Sequence, residues 1–421
     1  MPHPDFARAV ELVTPEKIRD LTIALVDIPS PTGQEAGVAN FLAAHMAGLG
    51  METDLPQVDQ GRPNAVGHLR GRGDGLNLLF TGHMDTSYSG EEPHLHGEGF
   101  RPKGVFRDGW IWGLGANNMK SGLACALVAI EAIVRSGIDL AGDISFGAVV
   151  GEIEKTAIEE FQGIEYSGYG VGTRHLATHG VTADFAVLAE PTGMRIATAN
   201  MGVVWARITV QGVVAHSAMS NRAGTTNAIA VMHELQSDIA AWARAYEAGT
   251  VYMGERPNAT VAAIRGGDPW RLSRNPYECS LYLDIRTVPG QIIDGIKREL
   301  RGVLRGFAAR KSMPEPRLHI YVSDPPNLVD AKLPVVEALS AAQQLVTGQK
   351  LGHVIRRPGA DAIHLTSYGI PCVPFGAGGR LHPDTQGSSM HAFGEHVLLE
   401  DCLNTAKIYL AVALDLCSRK P

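Results

Sequence analysis

Three apolar runs in the first half of the chain lead directly into residues that do chemistry. LNLLFTGHMDT (76–86) carries His83 and Asp85 near its end, GDISFGAVVGE (142–152) ends on Glu152, and ADFAVLAEPT (183–192) carries Glu190. Between the first two lies MKSGLACALVAIEAIVRSG (119–137), with small and apolar residues on most faces and Gly137 as a stop. Strands alternating with helices predict a largely parallel sheet, and such sheets bind ligands beyond the carboxyl ends of their strands. Imidazole and carboxylate groups recurring at those ends constrain both the fold and the place of any site.

The middle of the chain has a different rhythm. Strand-like runs at 196–212, 259–267, 278–288 and 317–322 are interleaved with helical runs at 226–248 and 290–311. The order β-α-β-β-α-β predicts a ferredoxin-like unit, and Asp324-Pro325-Pro326 makes an exit linker. The remaining residues return to helix, strand and a glycine-rich stretch. The expected architecture is thus an α/β domain with a mainly parallel sheet, built from 1–196 and 326–421, interrupted by an inserted α+β domain at 197–325.

A chain of 421 residues suits two or three folding units, and 45% hydrophobic residues exclude a mainly disordered one. The net charge of −7 argues against a nucleic-acid partner. No run approaches the length of a membrane span, and the opening residues lack the pattern of a secretory signal. The five cysteines are scattered and never paired as CxxC, which fits buried thiols in a reducing cytoplasm.

His83 and Asp85 alone are weak evidence, since a histidine near an aspartate is more often structural. Their weight comes from an ordered set of further motifs. These are IPSPTGQE (28–35), GLGANNMKSG (113–122), VVGEIE (149–154), LAEPTG (188–193), GVVAHSAMSNRAGTTNAI (212–229), DIRTVPG (284–290), GADA (359–362), GIPCVPFGAGG (369–379) and HAFGEHV (391–397). In this order they resemble the metallohydrolase family of acetylornithine deacetylase, succinyl-diaminopimelate desuccinylase, carboxypeptidase G and the aminoacylases, nearly from end to end. The resemblance implies a metal-binding α/β domain with an inserted ferredoxin-like lid that dimerises.

By position, the resemblance makes His83 a metal ligand, Asp85 the residue that orients it, and Glu152 the general base toward water. Glu190 completes the first metal site and His391 comes from the second. His216 in the lid stabilises developing charge across a dimer interface, Arg286 suits a substrate carboxylate, and Asn275 lies in a lid turn near substrate. His364, His382, His396 and Arg380 read as packing or loop residues.

Two positions depart from the family pattern. Asn118 stands where a carboxylate normally bridges two zinc ions, and Ile153 replaces the second of two paired glutamates. Glu154 is a possible stand-in, but if the strand continues it faces the side of Glu152 and not that of Ile153. An amide oxygen can coordinate a cation but brings no charge. The expectation is therefore one weakly held divalent transition metal ion (zinc, manganese or cobalt) on His83, Glu190, Asn118 and His391.

Three functions are compatible with such a site. The first is what the resemblance implies, since that family contains an aryl aminohydrolase of aromatic degradation that converts 5-nitroanthranilate to 5-nitrosalicylate and ammonia; a nitro-substituted ring absorbs charge that a second cation would otherwise stabilise. The second is a single-metal N-acyl-amino-acid deacylase or carboxypeptidase. The third is a binding or scaffold protein on the hydrolase fold. The first two take a small carboxylate-bearing substrate, with self-association through the lid.

Overall fold

In a computed structural model, residues 3–359, 361–385 and 394–421 are described. The chain forms two units: one comprises 1–198, 329–354 and 360–421, and the other 199–328 with 355–359.

The first unit is built on six strands in the order Glu52–Asp54, Ala65–Leu69, Ile144–Val149, Leu78–His83, Phe185–Leu188, Cys372–Pro374. The last four run parallel, and the first two are antiparallel additions at one edge. Every residue of Leu78–His83 and Ile144–Val149 is buried, as expected for central strands covered on both faces. The register pairs His83 with Val149 and Thr81 with Leu188. The residues just past these strand ends therefore emerge along one rim of the sheet.

The helix expected over 119–137 forms from Ser121 to Arg135. It lies against the long carboxy-terminal helix Leu399–Leu416. Gly122 permits its close approach, because a Cβ there would stand 2.0 Å from the Ala189 carbonyl oxygen. The helix starts later than its apolar pattern because Ala116–Lys120 forms a wide turn in which Asn118 (φ −125°, ψ 93°) and Met119 leave helical geometry. Buried Lys120 donates through Nζ to the carbonyls of Leu25 (2.9 Å) and Ile28 (2.8 Å), drawing the IPSPTG segment toward the rim.

The second unit carries four antiparallel strands in the order Asn258–Gly266, Glu278–Thr287, Gly202–Gln211, Arg317–Asp324. Alternate residues Val204, Ala206, Ile208 and Val210, with Leu281, Leu283 and Ile285, form the apolar face. Helices Ala228–Ala248 and Ile293–Lys311 cover it with Met232, Leu235, Ile239, Leu300, Leu304 and Phe307 at helical spacing. Asn227 caps the first helix by accepting the N–H of Ile229 and Ala230. This is the ferredoxin-like arrangement. The single strand expected over 196–212 is divided at Met201 into Ile196–Asn200 and Gly202–Gln211, because the two pieces pair with different partners.

Among the described residues no helix is long and apolar enough to cross a membrane. All five cysteines are buried free thiols.

Candidate metal centre

His83 is the last residue of its strand and is fully buried. Its Nδ1 faces the Asp85 carbonyl oxygen at 2.9 Å and Asp85 Oδ1 at 3.5 Å. Both partners are acceptors, which assigns a ring proton to Nδ1 and makes Nε2 the atom that becomes a ligand once a cation displaces its own proton. Around Nε2 stand Asn118 Oδ1 at 3.3 Å, Glu152 Oε2 at 3.5 Å and Glu190 Oε1 at 3.8 Å. One ligating atom each from His83, Glu152 and Glu190 lies within 4.8 Å of the others.

Asp85 is held as firmly as the ring it faces. Its carboxylate accepts the Thr32 hydroxyl (2.9 Å) and the backbone N–H groups of Glu152 (3.0 Å) and Ile153 (3.2 Å). Burial works against the charge on Asp85, but His83 and these hydrogen bonds hold its carboxyl below the usual value. Glu152 is different: burial pushes it well above the usual carboxylate range, opposed by His83 and reinforced by Glu190, Asp361 and Asp85. Burial alone would depress His83, yet Glu152, Asp85 and Glu190 outweigh it and hold the ring well above its ordinary value. An imidazole lone pair and crowded buried carboxylates are the donor set that suits a borderline divalent cation. The residues present therefore fit a metal ion.

The strand that leads to Glu152 stops at Val149, and Gly151 turns the chain at φ +64°. Strand alternation thus does not set the direction of Glu154. Ile153 is buried where the family pattern calls for a carboxylate. Asn118 comes to His83 from the turn preceding the Ser121–Arg135 helix.

His391 lies outside the described residues. His216, Asn275 and Arg286 belong to the second unit. His216 is exposed, and its Nδ1 accepts the N–H of Ala218 at 3.2 Å, so in the neutral ring Nε2 carries the proton. Asn275 is buried, and its side-chain nitrogen has no hydrogen-bond acceptor among the described residues. Arg286 differs from expectation in its readiness. Its guanidinium closes on Asp284 through Nε–Oδ1 and Nη2–Oδ2, both at 2.8 Å, because residues two apart on a strand share a face. His364, His396 and Arg380 are packing or loop residues here, against Arg174, Trp112 and Asp401 respectively.

Two further carboxyl groups, Glu395 and Asp361, stand near the centre. Glu395 accepts the N–H of Asn117 (3.1 Å) and Asn118 (2.8 Å). Burial lifts its carboxyl to about 7 against these bonds. Buried Asp361 accepts the Thr173 hydroxyl at 2.6 Å and is also lifted to about 7 by burial. Both sit inside quoted motifs, HAFGEHV and GADA, but neither lies at the end of an apolar strand.

Such a centre at the rim of a parallel sheet is that of a metallohydrolase. Peptidase family M20/M25/M40 matches residues 79–415, and the chain belongs to that family. It is a metal-dependent hydrolase of the class that cleaves amide and peptide carbon–nitrogen bonds. It is 29% identical to succinyl-diaminopimelate desuccinylase of Gluconacetobacter diazotrophicus, over 95% of this chain and 97% of that protein. It is 27% identical to N-formyl-4-amino-5-aminomethyl-2-methylpyrimidine deformylase of Bacillus subtilis, over 95% and 94%. Its fold is similar to those of the Saccharomyces cerevisiae di-peptidase Dug1p (TM-score 0.75, 12% identity, 100% of both chains) and a Staphylococcus aureus tripeptidase (TM-score 0.74, 18% identity, 96% of this chain and 99% of that one).

Proposed function

We propose that this chain hydrolyses a carbon–nitrogen bond of a small carboxylate-bearing substrate with one divalent metal ion, and that the substrate is an electron-poor aromatic amine such as 5-nitroanthranilate. The observation that carries the reading is the pair of departures at Asn118 and Ile153. Beside three clustered ligand atoms, the positions that would supply negative charge to a second cation hold an amide and an alkyl group. Two cations a few ångströms apart repel strongly without intervening carboxylates.

His83 and Glu190 would hold the ion together with Asn118, and Asp85 orients His83; the further ligand expected from sequence, His391, lies outside the described residues. When bound, the metal supplies Lewis acidity that makes water easier to deprotonate near neutral pH. Glu152, a buried carboxylate on the same cluster, takes a proton from the attacking water. The water oxygen bonds to the ring carbon bearing the amino group, and the electron pair displaced from the ring rests on the nitro oxygens. The proton returned by Glu152 goes to the amine, the C–N bond breaks, and ammonia leaves with 5-nitrosalicylate as the other product. His216 Nε2–H is a donor for developing negative charge. The buried Asn275 amide offers its unengaged N–H to a substrate oxygen, and Arg286 takes the substrate carboxylate by exchanging it for Asp284.

A second reading is favoured by the relatives, which are a deformylase and a desuccinylase. In that case the electrophile is an acyl carbon and the same residues keep their roles. Incubating the manganese- or zinc-loaded protein with 5-nitroanthranilate, and separately with N-formyl, N-acetyl and N-succinyl amino acids, distinguishes the two. Ammonia release with formation of 5-nitrosalicylate supports the aminohydrolase. Amine release from the acyl compounds alone refutes it.

The edge strand Asn258–Gly266 of the second unit leaves Val261 and Ile264 exposed, as are Trp270 and Leu272 beyond it. Open edges with apolar side chains are natural pairing surfaces. They support self-association through this unit, which light scattering after size exclusion would read as a mass above 44.9 kDa.

A further inference from the structure

The metal centre depends on an amide where a carboxylate would ordinarily stand, and that changes what the surrounding residues must do. A carboxylate is drawn toward a cation by charge from several ångströms away. A neutral amide is not, so its oxygen must already be in place. The Asn118 oxygen lies 3.3 Å from His83 Nε2, on a turn running from Gly115 (φ +85°) through residues that depart from helical geometry. Turns at helix starts leave backbone N–H groups without intrahelical acceptors. Here those of Asn117 and Asn118 both donate to one oxygen, Oε2 of Glu395, at 3.1 and 2.8 Å.

Glu395 is itself pinned. Its N–H donates to the Gly99 carbonyl at 2.8 Å, and its own carbonyl accepts the N–H of Gly113 at 3.2 Å. A second clamp holds the neighbouring side chain, where Asn117 Oδ1 accepts the N–H of Gly379 at 2.8 Å. Two N–H groups converging on one oxygen of a side chain whose own backbone is anchored on both sides tie this turn to the segment that carries Glu395.

We propose that Glu395 is a positioning residue of the metal centre, fixing through the N–H groups of Asn117 and Asn118 the turn that presents the Asn118 oxygen beside His83. Glu395 acts through Asn118 and not on substrate. The inference rests on the reading that Asn118 helps to hold the cation.

A double-mutant cycle separates the two claims. Manganese(II) is titrated calorimetrically into chelator-stripped full-length protein, as parent, Glu395→Gln, Asn118→Ala and the double variant, each checked for cooperative thermal unfolding. Outer-shell partners of metal ligands typically change affinity by 10–100-fold. Each single variant should bind manganese about 10-fold more weakly, and the double variant should also lose about 10-fold, because removing the ligand removes what Glu395 acts upon. A double variant weakened by about 100-fold, the product of two independent effects, overturns the inference. Parent-like affinity in Glu395→Gln beside a weakened Asn118→Ala also overturns it while leaving Asn118 a ligand. Parent-like affinity in Asn118→Ala overturns the reading beneath it. If Glu395→Gln does not fold, Glu395→Asp goes through the same cycle under the same criteria.

Discussion

The backbone N–H of Glu152 donates to Asp85 Oδ1 at 3.0 Å, and the same oxygen lies 3.5 Å from Nδ1 of His83. One carboxylate thus fixes both the ring that offers its lone pair and the segment that carries the proposed base. Asp85→Ala releases both at once. Metal affinity should fall by about 10–100-fold, as expected for the partner of a histidine ligand, with activity falling further than the metal loss explains. Titration of the variant with manganese and assay at saturating metal measure the two effects separately. Full recovery of activity at saturating metal would show that Asp85 acts on His83 alone.

Glu152 is predicted to be the base. Glu152→Gln keeps the shape and the backbone hydrogen bond to Asp85 but removes the proton acceptor. Turnover should drop by about 10²–10⁴-fold, with metal affinity changed far less. More than about a tenth of parental turnover would remove Glu152 from this role. Loss of the metal in step with activity would make it a ligand instead.

His216→Ala tests the donor of the second unit. The contact is proposed to strengthen as charge develops, so kcat should fall more than KM rises. Steady-state kinetics on the substrate found by the activity screen supply the ratio. A rise in KM at constant kcat would reduce His216 to a binding contact.

Asp361 is predicted to make stability depend on pH. Burial lifts its carboxyl to about 7 in the folded chain, from 3.8 when unperturbed. Between these values the folded chain keeps a proton that the unfolded chain has released. Its stabilising contribution is therefore complete below about pH 3.8 and is lost as the pH rises through about 7. Asp361→Asn is neutral in both states and can still accept the Thr173 hydroxyl. Relative to the parent, the stripped variant should become more stable at about pH 8 than at about pH 5, by about 1–3 kcal/mol in urea unfolding. An equal difference at both pH values would contradict the assignment.

The strand ends carrying His83, Glu152 and Glu190 were legible in the sequence because buried parallel strands write themselves as apolar runs, and their polar termini stand out. The β-α-β-β-α-β order of the second unit was legible for a similar reason, with two periodicities alternating at readable lengths. Glu395 was not legible. Its role depends on meeting the N–H groups of residues 277 and 278 positions away, a contact set by tertiary structure. The pairing of Arg286 with Asp284 was in principle readable from strand spacing, yet the sequence holds no sign that the fork is closed. The direction of Glu154 is not legible from strand alternation, because the strand ends at Val149 and Gly151 turns the chain before alternation can apply.

The central claim is that the centre works with one cation, and counting the ions tests it most directly. Protein purified without chelator and equilibrated against excess manganese or zinc, then passed through a desalting column, is analysed for metal per chain. Titration of the stripped protein gives affinity and stoichiometry together. The account predicts one ion or fewer per chain, removable by chelation and restored with activity by one added equivalent of zinc, manganese or cobalt. Two tightly held ions per chain would mean that another carboxylate replaces those missing at Asn118 and Ile153, and would contradict the single-metal account.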